Sequence, residues 1–196
     1  AATLTGKASR ADALITMVEN LLSITRIQGG DIPLKKQEEL LEEVAGDALI
    51  TINRRFPNSH VELVQSDDIL YLPVEPMLIK QVMVNLVENA IRHSGDPTHI
   101  QLKLYRQDNW AVTEVRDRGK GLSPEVLRAV EQGHQLPRDL SGDSTRGMGI
   151  GLSVCQSIIK AHGGEIKAES TPGEGTTIRF WLETEEVDTE ETEDEQ

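Results

Sequence analysis

From Met77 to Ile91 the apolar residues Leu78, Ile79, Val82, Met83, Leu86, Val87, Ala90 and Ile91 recur at helical spacing, which predicts a helix with one buried stripe. Gln81, Asn85, Glu88, Asn89 and Arg92 fall elsewhere on the same helix. At roughly 100° per residue these polar positions share an arc of about 100°. A solvated face would give the same pattern. Asn, however, competes with its own helix backbone and is a poor choice for such a face. The arc is therefore expected to converge on one ligand.

The pattern elsewhere alternates between helical and strand periods. Residues 10–28 read as an amphipathic helix with Leu14, Val18, Leu21 and Thr25 on a coiled-coil-like seam, ended by Gly29 and Gly30. Such a stripe needs a partner helix, a second copy of the chain, or the domain behind it. A short strand is expected over 34–38, and a helix over 40–54 from the period of Leu41, Val44, Ala48 and Ile52, closed by Pro57. Strands are expected near 60–64 and 69–72, ahead of the polar-striped helix that begins at Glu75 and Pro76. Residues 100–105 and 110–116 alternate as a hairpin. A helix follows over 123–131, capped by Ser123 with Pro124 at its first position, and another over about 149–162, stopped by Gly163 and Gly164. Strands over 165–169 and 176–182 end the fold. The predicted class is an α/β two-layer sandwich, a mixed sheet covered by helices on one face, with an N-terminal coiled-coil-like helix. The expected division is 1–30 for that helix, 31–183 for the domain and 184–196 for a tail.

Composition narrows the function. The net charge is −13, yet the stretch from Glu183 to Gln196 alone carries nine carboxylates and no Lys or Arg, so most of the acidity is a tail. That tail has too little apolar content to build a core, and its field disfavours nucleic acid. Aromatics make up 3% of the chain, leaving no evident platform for stacking bases of nucleic acid. The single cysteine, Cys155, excludes an internal disulfide and a cysteine-based zinc cage, and its apolar neighbours suggest a small core residue. No window reaches the apolar length of a bilayer span, so the chain is expected to be soluble and cytoplasmic, without direct membrane contact.

Three glycine clusters carry the candidate chemistry. Asp117-Arg118-Gly119-Lys120-Gly121 lies where the Trp110 strand ends. A carboxylate there is either a turn former or an acceptor for an adenine amino group; guanine would present a carbonyl at the same edge and be repelled. Gly147-Met148-Gly149-Ile150-Gly151-Leu152 leads into a helix, where free N–H groups suit a polyphosphate, although a hinge would also use glycines. A Walker loop is excluded because Met148 stands where its Lys belongs, and Leu152 breaks the dinucleotide pattern. Gly173-Glu174-Gly175-Thr176-Thr177 alone would be a hairpin turn.

In this order and spacing the pieces resemble the ATP-binding catalytic domain of sensor histidine kinases, of the GHKL superfamily. Asn85-Leu86-Val87-Glu88-Asn89-Ala90 is similar to the N box of that family, and the glycine clusters to its glycine boxes, over about residues 34–182. The helix ending Leu21-Leu22-Ser23-Ile24-Thr25-Arg26-Ile27 is similar to the second helix of the dimerisation hairpin, especially in potassium-responsive osmosensor kinases. The resemblance implies ATP and Mg²⁺ as ligands. It makes Asn89 the metal ligand, Asn85 a holder of phosphates and metal, Arg92 a phosphate contact and His93 a neighbour of the nucleotide. Asp117 would read adenine, with Thr176 beside it and Gly119, Gly121 and Leu122 shaping the pocket. Gly147, Met148, Gly149, Ile150, Gly151 and Leu152 would lie against the phosphates. Lys120 and Arg146 are further phosphate candidates or solvated cations.

Two departures stand out. No Phe occurs between Leu122 and Arg146, where the family has a Phe-rich box. None of His60, His93, His99, His134 and His162 is followed by the acid that follows the family's phosphoacceptor, so the acceptor helix is expected to precede Ala1. The implied activity is transfer of the γ-phosphoryl group to a histidine on that helix, in the same or a second protomer of a homodimer, and then to a response regulator. Where related ATPases carry a Glu general base this chain has Asn85, and an amide cannot take a proton from water. A serine-directed kinase of the anti-sigma type, a GHKL hydrolase and a non-catalytic nucleotide-gated module remain as alternatives.

Overall fold

The computed structural model describes Val18 and residues 34–95, 97–131 and 148–184. The expected N-terminal helix, the tail beyond Thr184, and Arg146 and Gly147 lie outside these residues. Strand β1 (Gln37–Leu40) runs directly into helix α1 (Leu41–Arg55), followed by β2 (Val61–Gln65), β3 (Tyr71–Val74) and helix α2 (Pro76–His93). Then come β4 (Ile100–Gln107), β5 (Trp110–Asp117), α3 (Pro124–Glu131), α4 (Met148–Ala161), β6 (Glu165–Thr171) and β7 (Gly175–Glu183). The class and order match the expectation, with boundaries moved by up to three residues. The first strand starts at Gln37 rather than Leu34 because its extent is set by antiparallel pairing with β3, from Gln37 opposite Val74 to Leu40 opposite Tyr71.

The main sheet has the order β2-β4-β5-β7-β6, parallel between β2 and β4 and antiparallel elsewhere. Period-two alternation lines one face with apolar rows. In one row Leu102, Val115, Ile178 and Ala168 stand opposite one another across four strands, and all belong to the core. Helix α2 packs over β4 and β5 and between α1 and α4. Pro76 occupies its first turn, where a missing N–H costs nothing. Its side chains Ile79, Val82, Met83, Leu86 and Val87 are at most 1% exposed, each contributing about 2 kcal/mol through burial. Among the described residues no helix is long and apolar enough to cross a membrane.

A histidine joins the far ends of the helices. His162 closes α4, its Nδ1 2.8 Å from the Ile158 carbonyl, while its Nε2 accepts the backbone N–H of Glu75, the residue preceding α2, at 3.1 Å. The two contacts determine the neutral form with the proton on Nδ1, since a carbonyl only accepts and an amide N–H only donates. Burial is the main cause that lowers the His162 pKa from its ordinary 6.5. The unfolded chain thus takes up the proton first, and stability present above pH 6.5 falls as the pH drops from there toward the lowered folded value. Urea denaturation across this window is expected to show that slope, with a shallower one in His162→Gln.

Candidate nucleotide pocket

The site grows out of the core rows. Val115 and Ile178 face each other on β5 and β7, and alternation puts Asp117, two residues further along, and Thr176, two residues earlier, on the same face at the sheet's end. Asp117 is 8% exposed. Its Oδ1 accepts the Gly119 N–H at 2.8 Å, and the backbone N–H of Thr176 also donates to the carboxylate. Desolvation raises the Asp117 pKa, and the two backbone hydrogen bonds oppose the rise. Gly119 is needed for contact: a Cβ there would fall on the backbone of Ser94, just past α2. Gly121 has φ +69°, and a Cβ would strike the Thr171 carbonyl.

The C-terminal half of α2 forms the second wall. Asn89 and His93, one turn apart, line the same cavity as Asp117, Lys120, Gly121, Leu122 and Thr176. Leu152, near the start of α4, closes a third side. A Cβ on Gly151 would come 3.9 Å from Asn89 Nδ2, so the first turn of α4 lies against that amide. Asn89 Nδ2 is buried and has no hydrogen-bond partner among the described residues. A buried unpaired amide costs about 1–3 kcal/mol, so this atom awaits an acceptor. His93 is held neutral by burial first and then by Lys120 and Arg92, all of which lower its pKa.

The cavity is about 230 Å³. That is less than the roughly 300 Å³ typical of a pocket enclosing a whole small ligand, and it suits one ring system with the rest of the molecule outside. The ring would meet the apolar side chains Leu86, Ala90, Val115 and Ile178, which the sequence reading did not assign to the site. Strand parity and helical period carried their signal, because each neighbours a chemical residue on the same face. Ser123 lines the cavity as well, although its place before Pro124 signals only a helix cap in the sequence.

The polar arc of α2 does not converge as the sequence suggests. Glu88 Oε1 receives Arg55 Nη1 from α1 at 2.7 Å, and the Arg92 guanidinium lies 5.0 Å over the Phe56 ring at the end of α1. Asn85 is 5% exposed and hydrogen-bonds Cys155 of α4. Burial pushes the Cys155 thiol up to about 12 and keeps it protonated. Helices α1 and α4 flank α2, so an arc of about 100° spans two helix contacts and leaves only Asn89 for the cavity wall. Asn85 and Arg92 thus stand off the lining. Met148, Gly149 and Ile150 open α4, a residue earlier than expected, while Arg146 and Gly147 lie outside the described residues.

Residues 74–186 match the family profile of the histidine kinase-, DNA gyrase B-, and HSP90-like ATPases, which covers more than half the chain. The chain belongs to this ATPase family. The profile starts in β3 and runs past β7, so every described site residue of this ATPase domain falls inside it, whereas β1 and α1 precede it. The chain is 34% identical over 167 residues to a protein named sensor protein KdpD from Clostridium acetobutylicum, covering 85% of this chain and 19% of that protein. It spans about a fifth of the length of such curated relatives. The fold is shared with the histidine kinase AdeS of Acinetobacter baumannii, with TM-score 0.69, 19% identity, and coverage of 93% of this chain and 84% of that one. It is shared also with full-length ShkA in complex with AMPPNP, with TM-score 0.73, 18% identity, and coverage of 93% of this chain and 39% of that one.

Gly119 itself is not in the cavity lining, and Gly119→Ala tests the close contact between the loop after β5 and the residue that follows α2. Urea denaturation is expected to show a loss of about 2 kcal/mol, since the new methyl must displace the Ser94 backbone.

Proposed function

We propose that this domain binds ATP with Mg²⁺ and transfers the γ-phosphoryl group to a histidine on a separate helix, from which a response regulator receives it. The observation that carries the proposal is the buried Asn89 Nδ2, without a partner among the described residues, on the wall of the cavity that Asp117 and Thr176 also line. In this assignment adenine enters the apolar cavity and its amino group donates to Asp117, an acceptor whose position two backbone N–H groups fix. Guanine, with a carbonyl at that edge, is rejected. The triphosphate then runs past Asn89 toward the first turn of α4, whose N–H groups have no helical partners.

The donor set fits magnesium, because an amide offers Oδ1 to a hard cation and an N–H to a phosphate oxygen. The bound ion would neutralise charge on the phosphates. Lys120, on the cavity rim, and exposed Arg92 supply further positive charge. Positioning and charge neutralisation supply most of the catalysis in such a transfer. Asn85 cannot act as a base, and its hydrogen bond to Cys155 keeps it off the cavity wall. Both features protect ATP from water. None of the five histidines is followed by an acid, so the acceptor is assigned to another helix, within the same protein or a second copy of it. The similarity to proteins named as sensor kinases supports this use of the site.

Calorimetric titration with MgATP is expected to give an affinity about 10- to 100-fold lower for Asp117→Asn, the loss of a hydrogen bond to a charged acceptor, with urea stability nearly unchanged. Unchanged ATP affinity would remove the adenine assignment. Incubation with ATP and an acceptor helical hairpin is expected to yield an acid-labile phosphoprotein with the wild-type chain and none with Asn89→Ala. An acid-stable product would reassign the domain to a serine-directed kinase.

A further inference from the structure

Ser170 takes no part in lining the cavity, yet it controls one side chain that does. It stands on β6 directly opposite Thr176 of β7. Three groups surround its Oγ: the Leu122 N–H at 2.8 Å, the Gly175 carbonyl at 2.9 Å and the Thr176 Oγ1 at 3.1 Å. A serine hydroxyl has one proton and two lone pairs. The Leu122 N–H can only donate and the Gly175 carbonyl can only accept, so the Ser170 proton goes to Gly175 and one lone pair to Leu122. The remaining lone pair can bond Thr176 only by receiving its proton. The backbone N–H of Thr176 is meanwhile committed to Asp117.

We infer that Ser170 is a specificity-positioning residue that holds the Thr176 hydroxyl as an acceptor, so that the base-reading end of the pocket accepts a purine with an amino group and refuses one with a carbonyl. The inference rests on the proposed adenine site and adds a second discriminator to Asp117. With Thr176 free to rotate, its hydroxyl would donate to a 6-oxo group and partly compensate for the repulsion by Asp117. With its proton tied to Ser170, both side chains present lone pairs alone. A 6-amino group has two protons and can serve both, whereas a 6-oxo group meets lone pairs at each. The same serine ties Leu122 to β6, so the reader and the loop over the pocket share one anchor.

The test compares calorimetric affinities for MgATP and MgITP, whose bases differ in the 6-amino against the 6-oxo group. Ser170→Ala is expected to narrow the ATP:ITP preference by roughly 3- to 10-fold, the worth of one hydrogen bond regained by ITP, while Ser170→Thr keeps the wild-type preference. A parallel loss for both nucleotides at constant ratio would show a purely structural serine and overturn the inference. Thr176→Val gives an independent arm if Ser170→Ala folds poorly. An acceptor-only threonine predicts that Val weakens ATP and spares ITP, and the opposite order would overturn the inference. A wild-type chain that bound ITP as tightly as ATP would instead sink the adenine site beneath it.

Discussion

Side chains two residues apart on a strand face the same way, and that constraint builds the pocket. Val115, Ile178 and Ala168 are core residues because the helices cover their face of the sheet. Asp117, Thr176 and Ser170, each one step further along the same rows, cannot turn away without flipping the apolar set to solvent. Tens of kcal/mol of burial thus hold three polar side chains in place. The raised Asp117 pKa is the local cost of this, because the row that positions the carboxylate also strips its water.

Helix α2 carries the opposite problem, that of too many neighbours. Packed against α1, α4 and the sheet, it buries even Asn85 and Glu88, and each of these is matched by a group on a flanking helix. Of its polar arc only Asn89, near the C-terminal end, lines the cavity, with the first turn of α4 against its amide. Asn89, whose Nδ2 lacks a partner among the described residues, is therefore where the proposed chemistry centres.

The secondary structure was legible because period and punctuation agreed: Pro76, Pro124, Gly163 and Gly164 mark helix ends where the apolar period changes. The candidate site was visible as motifs, and eight of its named residues, from Asn89 and Asp117 to Leu152 and Thr176, line one cavity. The convergence of Gln81, Asn85, Glu88, Asn89 and Arg92 was not, because angular position on a helix says nothing about which neighbour stands opposite. Arg55 and Phe56, more than thirty residues upstream, claim Glu88 and Arg92, and no local pattern announces that. Ser170 was equally silent. Its importance lies in a proton count across strands β6 and β7, and a lone serine in a strand looks like surface.

Cys155 has no exposed surface, keeps its proton and touches both Val82 and Asn85 across the α2–α4 seam. Only the thiolate attacks an alkylating reagent, so while the two helices remain together this sulfur is chemically mute. The molecule thereby contains a built-in gauge of its own breathing. Labelling at this atom would count the moments when the helix bearing the amides parts from the helix whose first turn is proposed to meet the phosphates, with no foreign probe introduced anywhere in the chain.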